Sequence, residues 1–382
     1  QINNKCSRLA LIGGCVIKKL LLKRLPLISL GVIAYILTKY AQNHQDWAEK
    51  YSRSVYPILS KTVGFVPSWV KFSVSEWLVV LVVLLLLFYI GYYVRKVIMS
   101  KGARRMVVYR GTLGIVAICS VIYFCYTVLG GINYHRYSFL SYTEYQEGNY
   151  SEDELVKLCK SLAVEMELAR GKLEDTALLA QVPDSFNYYA QHAVLSMQML
   201  SKKYPVLEHS LYSTPKPVVM SKLMSRAGIH GIFVPFTFES NINVNVPVFL
   251  VSATMAHELA HQSGFMHEDE ANFIAYLACK QQDDPMILYS GFFLAFDYSI
   301  SALKKVDSDQ ASDIMSSLSK AVQHDIQQNE QYRDKYEGVI SSISRIVNDL
   351  YLKANNQTDG LNSYSGMVNL LLAEQRGIEK YH

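Results

Sequence analysis

The chain has 382 residues, half of them apolar, and a formal net charge of +4 at pH 7. That balance hides a division: residues 1–132 carry 17 Lys/Arg against 3 Asp/Glu, while residues 133–382 carry 20 against 30. The basic residues stand beside apolar runs rather than along an aromatic-studded surface, which speaks against nucleic-acid binding and is how membrane topology is written.

Taken in chain order, the first apolar run is Leu25–Thr38, bracketed by Lys23, Arg24 and Lys39. Those long side chains can snorkel, so a span over about 20–41 is expected, an uncleaved anchor because no small-residue cleavage site follows. Trp77–Val94 and Gly111–Ile132 carry no charge and are each long enough to cross a bilayer, predicting spans at about 75–94 and 111–132. Lys18, Lys19, Lys23 and Arg24 precede the first, and six Lys/Arg lie between residues 95 and 110. Both clusters belong in the cytoplasm, which puts everything after residue 132 outside, a multi-pass protein of the cytoplasmic (inner) membrane in contact with its lipid. The expected division is therefore 1–132 membrane anchor and 133–382 extracytoplasmic domain. The six cysteines form no CxxC; a bridge between Cys159 and Cys279 and a pair of buried thiols are both open.

Tyrosines at 134, 137, 142 and 145 follow the third run and suit a headgroup zone. Helical periodicity marks Ser151–Arg170, with Ser151 and Glu154 in capping-box spacing, and Ser185–Lys203. Lys216–Met220 reads as a short strand. Gly231–Val246 alternates like a strand, and Pro235 within it demands an edge position. From Pro247 onward the pattern is helical, with a break at Asn355–Gly360. The fold class expected is α+β and mainly helical, with a small sheet.

His257-Glu258-Leu259-Ala260-His261 places two imidazoles one helical turn apart, near enough to share a metal, with Glu258 beside them to take a proton from water. The neighbours Met255, Ala256, Leu259 and Ala260 are apolar or small, so this helix is expected to be buried, where unpartnered histidines would be costly. Two third ligands are open. His267 completes the spacing HExxHxxGxxH, although neither Met286 nor Met315 offers a methionine turn. Alternatively Gly264 ends the first helix and a second starts near Glu268, with Glu270, Phe273, Ile274 and Leu277 on its inward face. Glu268 and Asp269 then read as first-turn acids favoured by the helix dipole.

The stretch HELAHQSGFMHEDEANFIAYLAC, preceded by FTFESNINVNVP, resembles a family of bacterial membrane proteins with three N-terminal transmembrane helices and a zincin-like metallopeptidase domain. The likeness covers nearly the whole chain, and the HELAHQxGF…EDEANFIAYLAC block is its most specific part. In that family the glutamate before Ala-Asn belongs to the pattern and position 267 is usually not histidine. The resemblance implies Zn2+ held by His257, His261 and Glu270, with Glu258 as the base and His267 as the alternative third ligand.

The expected function is a membrane-anchored zinc endopeptidase acting on a peptide or protein substrate, with a sensor or a silent zinc scaffold as alternatives. Gly231, Ile232, Phe233 and Val234 are the candidate substrate-binding edge, since zincin clefts add the substrate as a strand. His230, Tyr276 and Tyr289 are candidates for stabilising an oxyanion. His192 and His209 have no ligand-spaced partner, and Arg376 is expected in a salt bridge.

Overall fold

The computed structural model describes residues 2–146, 148–174, 182–208, 213–355 and 366–381, which are mainly helical with one three-stranded sheet. From the N-terminus run α1 (Ile2–Asn43), α2 (Gln45–Ser54), α3 (Tyr56–Ser68), α4 (Val74–Met99) and α5 (Arg104–Leu129). Then come α6 (Glu152–Arg170), α7 (Val182–Lys203), β1 (Lys216–Pro217), α8 (Ser221–Arg226), β2 (Gly231–Val234) and β3 (Glu239–Ile242). The last third is helical: α9 (Val251–Gln262), α10 (Glu268–Cys279), α11 (Pro285–Val306), α12 (Ser308–Ser317), α13 (Lys320–Tyr336), α14 (Val339–Ala354) and α15 (Gly366–Tyr381).

Two compact units divide the chain. The first comprises Gln1–Gln45 and Glu76–Ile132. In it α1 packs against α5, and Gly31 approaches Ser120 so closely that a Cβ would stand 2.8 Å from its Oγ. Each run expected to span is a helix long and apolar enough to cross a bilayer: Lys19–Asn43 of α1, all of α4 and all of α5. The helices overrun the expected limits by a few residues, because Arg95, Lys96, Arg104 and Arg105 continue the helical hydrogen bonding beyond the apolar core. Residues 131–135 turn into a 3-10 segment, so the third run ends as helix at Leu129.

The second unit comprises Asp46–Ser75 and Asn133–His382. This corrects the expected division at 132: residues 46–75, read as part of the anchor, belong to the unit that carries the HExxH helix. Their attachment is polar and buried. Arg136 donates from Nε and Nη2 to Glu49 of α2 at 3.2 Å each, and from Nη1 to Ser263 O at 3.4 Å. Its guanidinium also lies 4.1 Å above the Phe265 ring. Tyr56 at the head of α3 donates to Gln262 O at 3.2 Å, holding the last turn of α9. Glu239 of β3, fully buried, accepts from Val74 N and Ser75 N at 3.0 and 2.7 Å and pairs with Lys216.

A fourth helix, α11, is also apolar enough to span, yet 67 % of its apolar window is buried, against 6, 0 and 22 % in α1, α4 and α5. It is the core helix of the second unit, with Phe293, Phe296 and Tyr289 packed inside, Phe293 and Tyr289 against Phe249. Ser151 and Glu154 form the expected capping box at α6, and Arg376 pairs with Glu154 across to α15. Cys159 and Cys279 are free, buried thiols, and burial pushes both up to about 12.

The expected strand Gly231–Val246 is instead a hairpin. Pro235 cannot donate to a ladder, Thr237 N bonds back to Val234 O at 3.2 Å, and Phe238 takes φ +53° to reverse the chain. The sheet order is β1-β3-β2, with β1 parallel and β2 antiparallel to β3, so β2 is an edge strand, as Pro235 required. The other expected strand, Lys216–Met220, is confined to its first two residues.

Candidate metal centre

The helix α9 stops where its sequence says it should. Gly264 adopts φ +89°, a conformation costly for any residue with a Cβ, while Phe265 N returns to Ala260 O at 3.2 Å and Gly264 N to His261 O at 2.9 Å. After this turn His267 is extended, and α10 begins at Glu268. The two helices pack against each other. His257 and His261 are one turn apart on α9; Glu268 and Asn272 are one turn apart on α10.

These two pairs meet. His257 Nε2 lies 3.2 Å from Glu268 Oε2, and His261 Nε2 lies 3.7 Å from Glu268 Oε1. One ligand atom from each of the three side chains falls within 4.8 Å of the others. The opposite ring nitrogens are tied down: His257 Nδ1 to Asn272 Oδ1 at 2.8 Å, and His261 Nδ1 to Phe265 O at 2.8 Å. Both partners can accept from a ring N–H, which turns each Nε2 toward the shared point, the arrangement that orients metal-ligating histidines. Asn272 is itself held by donating to Tyr298 Oη at 3.2 Å.

The electrostatics agree with a site short of positive charge. Burial alone would lower His257, but the hydrogen bond and charge of Glu268, with the charge of Glu258, outweigh it and raise the imidazole. Burial lowers His261 to about 4, and a charged His257 pushes it the same way, since ring centroids 4.5 Å apart do not both carry a proton. Burial pushes the Glu258 carboxyl up to about 8. Its Oε2 is buried and has no hydrogen-bond partner among the described residues. Two imidazoles, one carboxylate and a second carboxylate held near them fit a divalent cation of the zinc type, for which His2Glu is a known catalytic ligand set.

The carboxylate beside the imidazoles is Glu268 and not the expected Glu270. Glu270, two residues past Glu268, points some 200° further round the helix; its Oε1 accepts from Phe139 N at 2.7 Å, and burial raises it to about 7. His267 is turned the other way, with Nε2 2.9 Å from Tyr134 O and its ring edge-on to Tyr134. Neither joins the histidines. Glu268, read from the sequence as a helix-dipole acid, does.

Glu258 lies under the edge strand. The Phe233 backbone amide is near enough to favour the charged form of its carboxylate, a smaller effect than burial. A Cβ on Gly231 would stand 2.5 Å from Glu258 Oε1 and 2.9 Å from Cδ, so this position is glycine because the carboxylate fills the space a side chain would need. Ser240 of β3 donates to Glu258 O at 3.1 Å and fixes the helix beneath the sheet. The strand Gly231–Val234 is thus brought to the site. Of the oxyanion candidates, His230 lies close enough to His257 to feel its charge. Tyr289 is not at the site: it donates to Asp325 in the core. Tyr276 is bonded to Lys280. Tyr298 and Asn272 are the residues that the sequence reading missed. The spacing Glu268-x-x-x-Asn272, matching His257-x-x-x-His261, was the signal. The His192 ring meets Tyr188, with Nδ1 2.9 Å from its carbonyl oxygen, and His209 lies outside the described residues.

Comparison with known families places residues 51–372 in a match to the family described as Protein of unknown function (DUF3810). No curated protein and no solved structure matches the chain.

Proposed function

We propose that this chain, which belongs to the DUF3810 family, is a membrane-anchored metallopeptidase whose metal ligands are His257, His261 and Glu268 and whose general base is Glu258. The observation that carries the reading is the pair of imidazoles locked through Nδ1, so that both Nε2 atoms face one carboxylate beside a buried, unpartnered Glu258 oxygen. A zinc ion there would supply Lewis acidity, polarising a peptide carbonyl and lowering the pKa of water toward about 7.

The chain's own groups do the rest. Glu258 Oε2 takes the proton of the attacking water and passes it to the departing amine. His230 O accepts from Asn243 N, so alternation along β2 turns the main-chain groups of Gly231 and Phe233 to the free edge. An extended substrate pairs there, held above Glu258 by the backbone of Gly231–Val234. The basic clusters before the first span and between the apolar runs of α4 and α5 support an extracytoplasmic site at a bacterial inner membrane.

The test is turnover. The full chain in lipid nanodiscs is incubated with a peptide library, and cleavage is read by mass spectrometry before and after chelation and after zinc is restored. Chelator-sensitive, zinc-restored cleavage is expected. Stoichiometric zinc without any cleavage would reduce the protein to a zinc scaffold.

Gly231→Ala gives a second expected outcome. The new methyl group must displace Glu258 or the edge strand by a large fraction of an ångström. Misplacement on that scale costs catalysis about 10²-fold, whereas the three ligands are untouched. Peptide cleavage should therefore collapse while zinc content stays at the wild-type level.

A further inference from the structure

The helix α14 faces the wrong way for a soluble surface. Its buried residues are Ser341 and Leu352, so it sits on the second unit by that side. At 100° per residue, Val339, Ile343, Ile346, Val347 and Leu350 occupy the arc opposite Ser341 and Leu352. They point straight outward and are 56 to 76 % exposed. A helix packed on a globular core normally presents its apolar stripe inward and its charges outward; here Arg345, Asp349 and Lys353 are pushed to one flank. A contiguous outward apolar face of this kind marks an interaction surface.

We propose that this face lies in the membrane, with α14 as an in-plane helix seated at the boundary of headgroups and acyl chains. The chain's own course identifies the occupant. Tyr351, near the end of α14, meets the Tyr134 hydroxyl at 2.9 Å, and the rings pack edge to face. Tyr134 is five residues beyond Leu129, where the apolar helix α5 ends, and five residues of chain reach at most about 18 Å. The partner that α14 touches is therefore tethered close to a helix end of membrane-spanning composition.

The same unit carries a second surface of this chemistry. Ile58, Phe65, Val66, Trp69 and Phe72 are 49 to 76 % exposed, with exposed Lys61 and Lys71 among them, and they immediately precede α4. Apolar and aromatic side chains interleaved with lysine suit the interfacial zone, where the ring or stem is buried and the polar end stays wet. An amphipathic helix with one apolar face and a charged flank binds that zone in the plane of the membrane. A second copy of the chain or another protein would cover α14 without this link to the ends of two apolar helices.

Tryptophan quenching in the full chain tests the assignment. Ile346→Trp lies on the apolar arc and Ser342→Trp on the charged flank; both positions are exposed, so the new ring fits without repacking. Each variant is reconstituted into phosphatidylcholine–phosphatidylglycerol vesicles, plain or with brominated acyl chains, with iodide added on both sides of the membrane. Emission is read as the difference from wild type, which has three tryptophans. The Ile346→Trp difference signal should be blue-shifted, lost in brominated vesicles and insensitive to iodide, while Ser342→Trp should respond to iodide. If iodide quenches Ile346→Trp and brominated lipid does not, the face is in water and the proposal is wrong. If neither quenches it, protein covers the face and lipid is not the occupant.

Discussion

Glu258→Gln is expected to keep its zinc, keep or gain stability, and lose peptide hydrolysis by about 10²–10⁴-fold, the usual contribution of a positioned general base. The three parts of this result have separate causes. The proposed ligands are His257, His261 and Glu268, none of which the substitution touches. The amide has the same shape beside Gly231, where there is no room for anything larger. Burial already disfavours the charged carboxylate, holding it up to about 8, so a neutral side chain removes a desolvation cost rather than adding one. What the amide lacks is the lone pair that takes a proton. Metal content by atomic emission, thermal unfolding and peptide cleavage read the three parts independently. Undiminished cleavage by Glu258→Gln would remove the water-activation mechanism, whatever the metal content.

How far the molecule was legible from its sequence depends on which kind of signal each feature had. Local chemistry was readable. Gly264 ends α9 because the turn needs a positive φ, Ser151 caps α6 through Glu154, and Pro235 forces its strand to an edge. The apolar runs became helices fit to span. Which carboxylate faces the two histidines was not readable, and the reason is physical. Periodicity finds the buried face of a helix, but in α10 every residue from Glu270 to Cys279 is buried. With no solvent side, the pattern cannot say which face meets α9 and which meets Phe139. Glu270 was correctly placed as inward, but it turns toward a backbone amide and not toward the histidines. The loop 46–75 was misassigned for a related reason: its attachment rests on Glu49–Arg136 and Tyr56–Gln262, pairings 87 and 206 residues apart that leave no local trace. The hairpin at 235–238 turned on a positive φ at Phe238, a residue whose type does not announce it.

Glu268→Ala and Glu270→Ala are expected to give crossed phenotypes, and the crossing is what makes the pair decisive. Glu268 is partly exposed, at 15 % of its side-chain surface, and its contacts at the site are the two imidazoles. Removing it takes one of three protein ligands and should weaken zinc by more than the roughly 10–100-fold that loss of an outer-shell partner costs. The fold should suffer less than in Glu270→Ala, because the Glu268 carboxylate lies nearer the surface than the buried Glu270. Glu270 is the reverse. It satisfies Phe139 N in the interior, and its truncation leaves a buried amide unpaired, a penalty of about 1–3 kcal/mol. Zinc should remain, because Glu270 does not face the histidines. His267→Ala belongs with Glu270→Ala in keeping zinc, since its ring nitrogen meets Tyr134 O and not the metal position. Zinc stoichiometry and denaturant unfolding on the full chain, wild type beside the three variants, give both readouts from one preparation. Zinc lost from Glu270→Ala and retained in Glu268→Ala would mean that α10 rotates by roughly half a turn on binding metal, and that the carboxylate facing the histidines here is a placeholder for the true ligand.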